Sequence, residues 1–262
     1  MMLHNLVLLL ACGAPGSEPS PTGQVPLEEV RRLVAFLVET AEKNLARSQP
    51  RTGDALADHY IRAAARFAIQ QELSPRAFLV ALGIGLDRTN WVRSNRVAGW
   101  YLKQVESDAA RKRRLKVLGK PSFLGREDWL QHFVVSAALI AHAGPTVTEQ
   151  IGIWKELRDA RGRSGFSFAD LAADYAGICF ARSLLDPGRD VSRALNGIAK
   201  DFQGKLHLPD MKDLEDGLPH DDLVRKYGEP TDPRFQRGCQ AVRQRVANLP
   251  VFRELTKQTT NE

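Results

Sequence analysis

Residues 127–177 read EDWLQHFVVSAALIAHAGPTVTEQIGIWKELRDARGRSGFSFADLAADYAG, and the spacing inside this stretch decides the fold. Apolar residues recur at helical steps, broken at Gly144-Pro145 and again at the glycine- and arginine-rich turn 161–166. The pattern predicts three successive helices with two short connections. Each of the three also brings polar side chains toward the face that should be buried. Asp128 and His132 are four residues apart, so they share a face, and Ser136 continues that line. Between His132 and His142 there is no charged side chain, only an apolar body from Phe133 to Ile140 with Ser136 inside it. An aspartate one turn from a histidine can hold the ring and raise its basicity, which makes Asp128 the expected partner of His132.

The second helix should be capped by Thr146 or Thr148 and carries Trp154, Lys155, Glu156 and Asp159, with Lys155 and Asp159 one turn apart. The third opens on Ser167-Phe168-Ala169-Asp170, a capping-box pattern with serine at the N-cap and an acid at N3. Asp170, Asp174 and Gly177 then line one face, the glycine leaving room for a close neighbour at a cost of about 1 kcal/mol in helix propensity.

Outward from this core the same period continues. Residues 26–48 predict a helix begun by Pro26 and two glutamates, and 54–72 a second with Leu56, Tyr60, Ala64 and Ala68 inward. Residues 76–86, after Ser74-Pro75, are apolar nearly all round, as a central buried helix must be. Asp87 to Asn95 reads as a loop and 97–117 as one helix ending in the basic run Arg111–Lys116. Asp186-Pro187-Gly188 is a stop. A short helix near 191–202, a loop-rich segment 206–233 with four prolines, and a last helix 234–249 complete the chain. No run alternates with a period of two. The expected fold is all-α: one multi-helix bundle over 26–205, with its motif helices at 125–185, and a loop-rich C-terminal extension, 206–262, ending in a helix.

The composition fits a globular chain with a sizeable core: of 262 residues, 43% are hydrophobic and 26% charged. The net charge of +6 favours acidic surfaces such as phospholipid headgroups. No aromatic-interleaved basic patch or groove-reading motif appears, so no nucleic acid is expected. Phosphate-binding glycine fingerprints and the Gly-x-Ser-x-Gly elbow are absent too. Three cysteines, at 12, 179 and 239, are too few and too scattered for a disulfide framework or a zinc site.

Residues 6–13, LVLLLACG, form a short apolar run ending in Leu-x-Ala-Cys, the pattern of a bacterial lipobox. The run is too short to span a bilayer, which takes about 20 apolar residues. Only His4 precedes it, where a signal peptide carries a positive n-region. The expectation is a signal peptide over 1–11, lipidation at Cys12, and a Pro/Gly/Ser-rich tether over 12–25. That places the protein in the cell envelope, lipid-anchored on the periplasmic side, or in the cytoplasm if the run is not a signal. The basic run 111–116 is a solvated face or a second membrane contact that reinforces a single acyl anchor.

The three core motifs together, Asp-x-x-x-His-Phe at 128–133, Lys-Glu-x-x-Asp at 155–159 and Gly-Phe-Ser-x-x-Asp-Leu-x-x-Asp-x-x-Gly at 165–177, resemble a family of bacterial envelope lipoproteins of unknown function, with looser echoes of VanZ-like membrane proteins. Trp129 stands where that family has lysine. The resemblance covers about the middle fifth of the chain and implies a compartment, not a chemistry.

For the polar residues themselves three readings stand. They form a buried network, since unpaired buried charges cost several kcal/mol. Alternatively, His132, Glu156, Asp159 and Asp174 ligate a divalent metal, or His132 oriented by Asp128 acts as base with Glu156 as acid in an envelope hydrolase. Third, the chain is a scaffold binding an envelope protein, with the loop Arg161–Phe166 offered to an acidic partner or to phosphate.

Overall fold

A computed structural model describes residues 25–94 and 96–253. The signal peptide, Cys12 and tether residues 12–24 expected from the sequence lie outside the described residues, as do residues 254–262. Among the described residues there are eleven α-helices and no strand, so the chain is an all-α bundle.

The helices are α1 (Leu27–Leu45), α2 (Gly53–Gln70), α3 (Pro75–Leu86), α4 (Trp91–Ser94), α5 (Arg96–Val105), α6 (Asp108–Val117), α7 (Glu127–Ala160), α8 (Phe168–Leu185), α9 (Val191–Asp201), α10 (His220–Tyr227) and α11 (Pro233–Ala247). The apolar spacing places α1 and α2 as expected, with Val30, Leu33, Leu37, Leu56, Tyr60 and Ala64 fully buried. In α3 every residue from Ala77 to Leu86 is buried, and the Ser74 hydroxyl caps its start by accepting from the Ala77 amide. A helix that is apolar all round belongs in the centre, and α3 packs on α1, α2, α7 and α8.

Three local expectations are corrected. Trp91 is not in a plain loop but opens the short helix α4. The helix expected over 97–117 is two, because Ser107 accepts from the Ala110 amide and so starts α6 as its own N-cap. The loop-rich segment 206–233 contains α10.

The core motif spans α7 and α8, the most extensively packed pair. Gly144 adopts φ +73°, ψ 175°, a left-handed conformation that breaks α7 into two arms, and Pro145 opens the second arm. Neither threonine caps that arm: Thr148 donates back to the Gly144 carbonyl. Gly177 is where α8 crosses the first arm, and a Cβ there would fall on the Phe133 carbonyl oxygen.

The C-terminal segments pack on the same core. Phe235, Cys239, Val242 and Val246 of α11 are buried, as the spacing predicts. Phe166 pairs its backbone with Leu218 in an isolated bridge, and an aromatic run from Phe123 through Phe133, Phe180, Phe202 and His207 reaches Phe252. Burial pushes the His207 imidazole down to about 4, so it serves there as a neutral ring.

A second buried ion pair lies away from the core motif. Arg114, in the basic run, is 2% exposed; its guanidinium bonds both Glu106 oxygens at 2.7 and 2.9 Å and the Gly85 and Asp87 carbonyls. Arg113 pairs with Glu42. The run 111–116 is therefore not one solvated basic face; Lys112, Arg113 and Lys116 remain exposed.

Candidate functional site: a buried imidazole, carboxylate and ammonium centre

The two arms of α7 and the first turns of α8 bring His132, Lys155, Glu156, Asp159, Asp170 and Asp174 to one place. His132 Nδ1 is 3.0 Å from Asp174 Oδ1, and Nε2 is 3.3 Å from Asp170 Oδ2. Ser136, one turn on from His132, donates to the same Asp174 oxygen at 2.7 Å. From the second arm, Lys155 Nζ donates to Glu156 Oε1 at 2.7 Å and Asp159 Oδ2 at 3.0 Å, and lies 3.2 Å from His132 Nε2. Glu156 Oε2 accepts from the Ser167 amide at 3.1 Å, while the Ser167 hydroxyl accepts from the Asp170 amide at 2.9 Å. The capping box expected at Ser167 and Asp170 is thus half local: the reciprocal acceptor comes from Glu156 on the other helix, which frees the Asp170 carboxylate to face His132.

Four carboxylates face two cations, and this excess controls the proton positions. Burial by itself drives His132 toward the neutral form, but Asp174 and Asp170 outweigh it and hold its pKa up at about 10. His132 is therefore an imidazolium at neutral pH, directing Nδ1–H at Asp174 and Nε2–H at Asp170. The 3.2 Å approach of Lys155 is then a contact between like charges, tolerated because Glu156 and Asp159 hold the ammonium. Burial also opposes the Lys155 charge, but Glu156 and Asp159 raise its pKa and keep it ionised. Glu156, 1% exposed, is pushed up to about 7 by burial against the opposing pull of Lys155 and His132. Asp170 is lowered: burial raises it, yet its contact with His132 prevails.

Several expectations change here. Asp128 does not orient His132. Its carboxylate, in the exposed first turn of α7, is taken by Arg126 at 2.6 Å, and Arg126 reaches on to Asp216 at 2.9 Å. Asp170 and Asp174 do the orienting instead; the sequence had already placed both on one face, but the cap pattern at Asp170 masked its second role. The expected ligand set His132, Glu156, Asp159 and Asp174 does not converge as such. Among the described residues, the atoms close enough for a metal are on His132, Glu156 and Asp170, within 4.8 Å of one another. A zinc-like ion would sit about 2.0–2.2 Å from each ligand. Lys155 Nζ already stands 2.7 Å from Glu156 Oε1 and 3.2 Å from His132 Nε2, in the space such an ion would need, and supplies the positive charge itself. The set does not fit a resident metal. Asp159 is engaged by Lys155 and Arg158.

The centre lines a cavity of about 320 Å³, whose wall includes Arg126, Asp128 and Asp216. Asp170 Oδ1 and Asp174 Oδ2 are buried and have no hydrogen-bond partner among the described residues. In the loop 161–166 the two arginines are exposed, but Phe166 is fully buried against Phe168 and Phe235 and is not available to a partner.

Both titrating groups have folded pKa values above their unfolded ones, so each stabilises the fold most at low pH. The Glu156 contribution is complete below its ordinary 4.5 and is lost as pH rises through about 7. That of His132 is complete below 6.5 and is lost through about 10. Stability should therefore decline from about pH 4.5 to pH 10, and His132→Gln should flatten the part of that decline above about pH 6.5. Chemical denaturation across the range tests it; an equal decline in the variant would remove His132 as its source.

Fold and centre together define a class: an all-α bundle built round a buried imidazolium–carboxylate–ammonium network. Comparison of the chain with protein-family models, curated proteins and solved structures finds no match in any of the three. No helix among the described residues is long and apolar enough to cross a membrane.

Proposed function

We propose that this protein is a lipid-anchored helical scaffold of the bacterial cell envelope, attached through Cys12, that presents a rigid bundle to an envelope partner. The observation that carries the scaffold role is the wiring of the polar centre. His132 and Ser136 bond to α8, Glu156 caps α8 from the second arm of α7, and Lys155 neutralises the space between them. Such a network holds three helical segments in one arrangement, a use of buried polar groups that favours one packing over its competitors. The membrane side rests on the lipobox and tether, with Lys112 and Lys116 as exposed charges for an anionic leaflet. Cys12→Ala should move the protein from the membrane to the soluble fraction; unchanged partitioning would reject the anchor.

One observation favours a second reading. The centre opens on a cavity, two carboxylate oxygens there have no hydrogen-bond partner among the described residues, and Glu156 is poised to exchange a proton near neutral pH. An envelope hydrolase would use Glu156 as the acid–base group, with the His132 and Lys155 cations stabilising developing negative charge. Turnover of chromogenic esters or glycosides that vanishes in folded Glu156→Gln, with a neutral pH inflection in the parent, supports this reading. Absence of such turnover leaves the scaffold.

A further inference from the structure

A second, larger cavity of about 600 Å³ lies between α1, α3, α4, α5, α6 and the first arm of α7. It borders the cavity of the polar centre, sharing Asp87, Thr89, Val135 and Leu139 with it, but touches none of His132, Lys155, Glu156, Asp170 and Asp174. Its volume is in the middle of the range of about 300–1,000 Å³ typical of sites that bury a small ligand. The walls are mainly apolar: Val80 and Ile84 of α3, Val92 of α4, Leu102 of α5, and Val135 and Ala138 of α7.

Two polar features mark it as more than a packing fault. Tyr101 Oη is buried with no hydrogen-bond partner among the described residues, beside His142, whose imidazole burial keeps neutral. A phenolic hydroxyl left so is uncommon, because buried polar groups are normally satisfied. Arg111, also on the wall, donates to the Thr89 carbonyl; the buried Asp87 carboxylate on the same wall feels its charge, but no carboxylate stands within ion-pair distance of it among the described residues. The neighbouring Arg93 and Arg114 on this wall are both held by Glu106. Arg111 is thus the cation with donors to spare. Trp100, 66% exposed, sits at the rim, where an amphipathic ring suits a surface that meets an apolar phase.

We infer that this cavity binds a long-chain fatty acid, the chain lying between α3, α5 and α7 and the carboxylate paired with Arg111. An extended hydrocarbon matches the apolar walls, and a single anionic head matches a wall on which three arginines, Arg93, Arg111 and Arg114, face two acids, Asp87 and Glu106. A neutral apolar ligand would leave the Arg111 charge without an anion, its one hydrogen bond going to the Thr89 carbonyl, and a zwitterionic phospholipid would bring a choline or ethanolamine cation toward Arg93 and Arg111.

The test is calorimetric titration of the full chain with fatty acids from decanoate to stearate, below their micellar concentrations, with hexadecanol and a lysophosphatidylcholine as comparison ligands. The expected result is one-to-one binding of palmitate in the micromolar range, at least tenfold tighter than hexadecanol or the lysolipid. Arg111→Gln should weaken palmitate about tenfold and leave hexadecanol unchanged. Filling the cavity should abolish binding, from the central helix in Ile84→Trp and from the outer wall in Val92→Trp; the second variant covers the case in which the first fails to fold. Lack of saturable palmitate binding overturns the proposal. So does undiminished binding in a folded cavity-filling variant, equal affinity for hexadecanol, or an unchanged affinity in Arg111→Gln.

Discussion

Glu156→Ala should destabilise the protein by about 3–5 kcal/mol, the range for breaking a buried ion pair from one side. The side chain is 1% exposed and does three things at once. It receives the Lys155 ammonium, it accepts from the Ser167 amide at the start of α8, and it fills the space between the arms of α7 and α8. Truncation leaves the ammonium with Asp159 alone, an amide unsatisfied and a void, and each of those costs free energy separately. For a chain of this size about 1 kcal/mol moves the melting temperature by about 2–4 °C, so a drop of about 10 °C is expected. Glu156→Gln keeps the shape and an acceptor for the Ser167 amide, and should lose about half as much. Urea denaturation of both variants decides the matter: a loss below about 1 kcal/mol for the alanine would mean that the network does not hold the helices together. Asp128→Ala is the contrast, since its ion pair with Arg126 is roughly 40% exposed on both sides and should cost less than about 1 kcal/mol.

Arg114→Met should be comparably severe, about 3–5 kcal/mol, because it leaves Glu106, which is 6% exposed, with only the longer 3.7 Å contact to Arg93 in the protein interior. The guanidinium also closes the C-terminal end of α3 by donating to the Gly85 and Asp87 carbonyls, so the variant leaves backbone acceptors open as well. The double substitution Arg114→Met, Glu106→Leu tells the two costs apart. Removing both charges avoids the stranded carboxylate and should recover more than half of the loss, whereas the open carbonyls persist in either case. A double variant no more stable than the single one would show that the carbonyl contacts, and not the ion pair, hold this corner of the fold.

The two ion-paired centres differ in how far they could be read from residue order. The polar centre was legible as a grouping, since His132, Ser136, Lys155, Glu156, Asp159 and Asp174 all stand on faces that should be buried. Its wiring was not. Asp128 is the nearest acid to His132 along the helix, yet it sits in an exposed first turn where Arg126 reaches it more easily, while α8 delivers two carboxylates to the ring from 38 and 42 residues away. Asp170 resembled a plain cap because a capping box is a local pattern and its carboxylate was needed elsewhere. Arg114 gave no sign at all: a basic residue in a basic run looks solvated until α3 and the α5–α6 corner close over it.

Local physics acting within a few residues decided what could be decided from the chain alone: the all-α class, the bounds of α1, α2, α3, α8, α9 and α11 to within a few residues, and the break at Gly144-Pro145. These follow from periodicity, caps and the backbone freedom of single residues, none of which needs a distant partner. Which carboxylate holds the imidazole, that the ammonium takes the place a metal would need, and that an apolar cavity opens between α3, α5 and α7 were settled only when the helices packed. Charge pairing and cavity shape depend on distances between segments far apart in sequence, and those distances exist only in the folded chain.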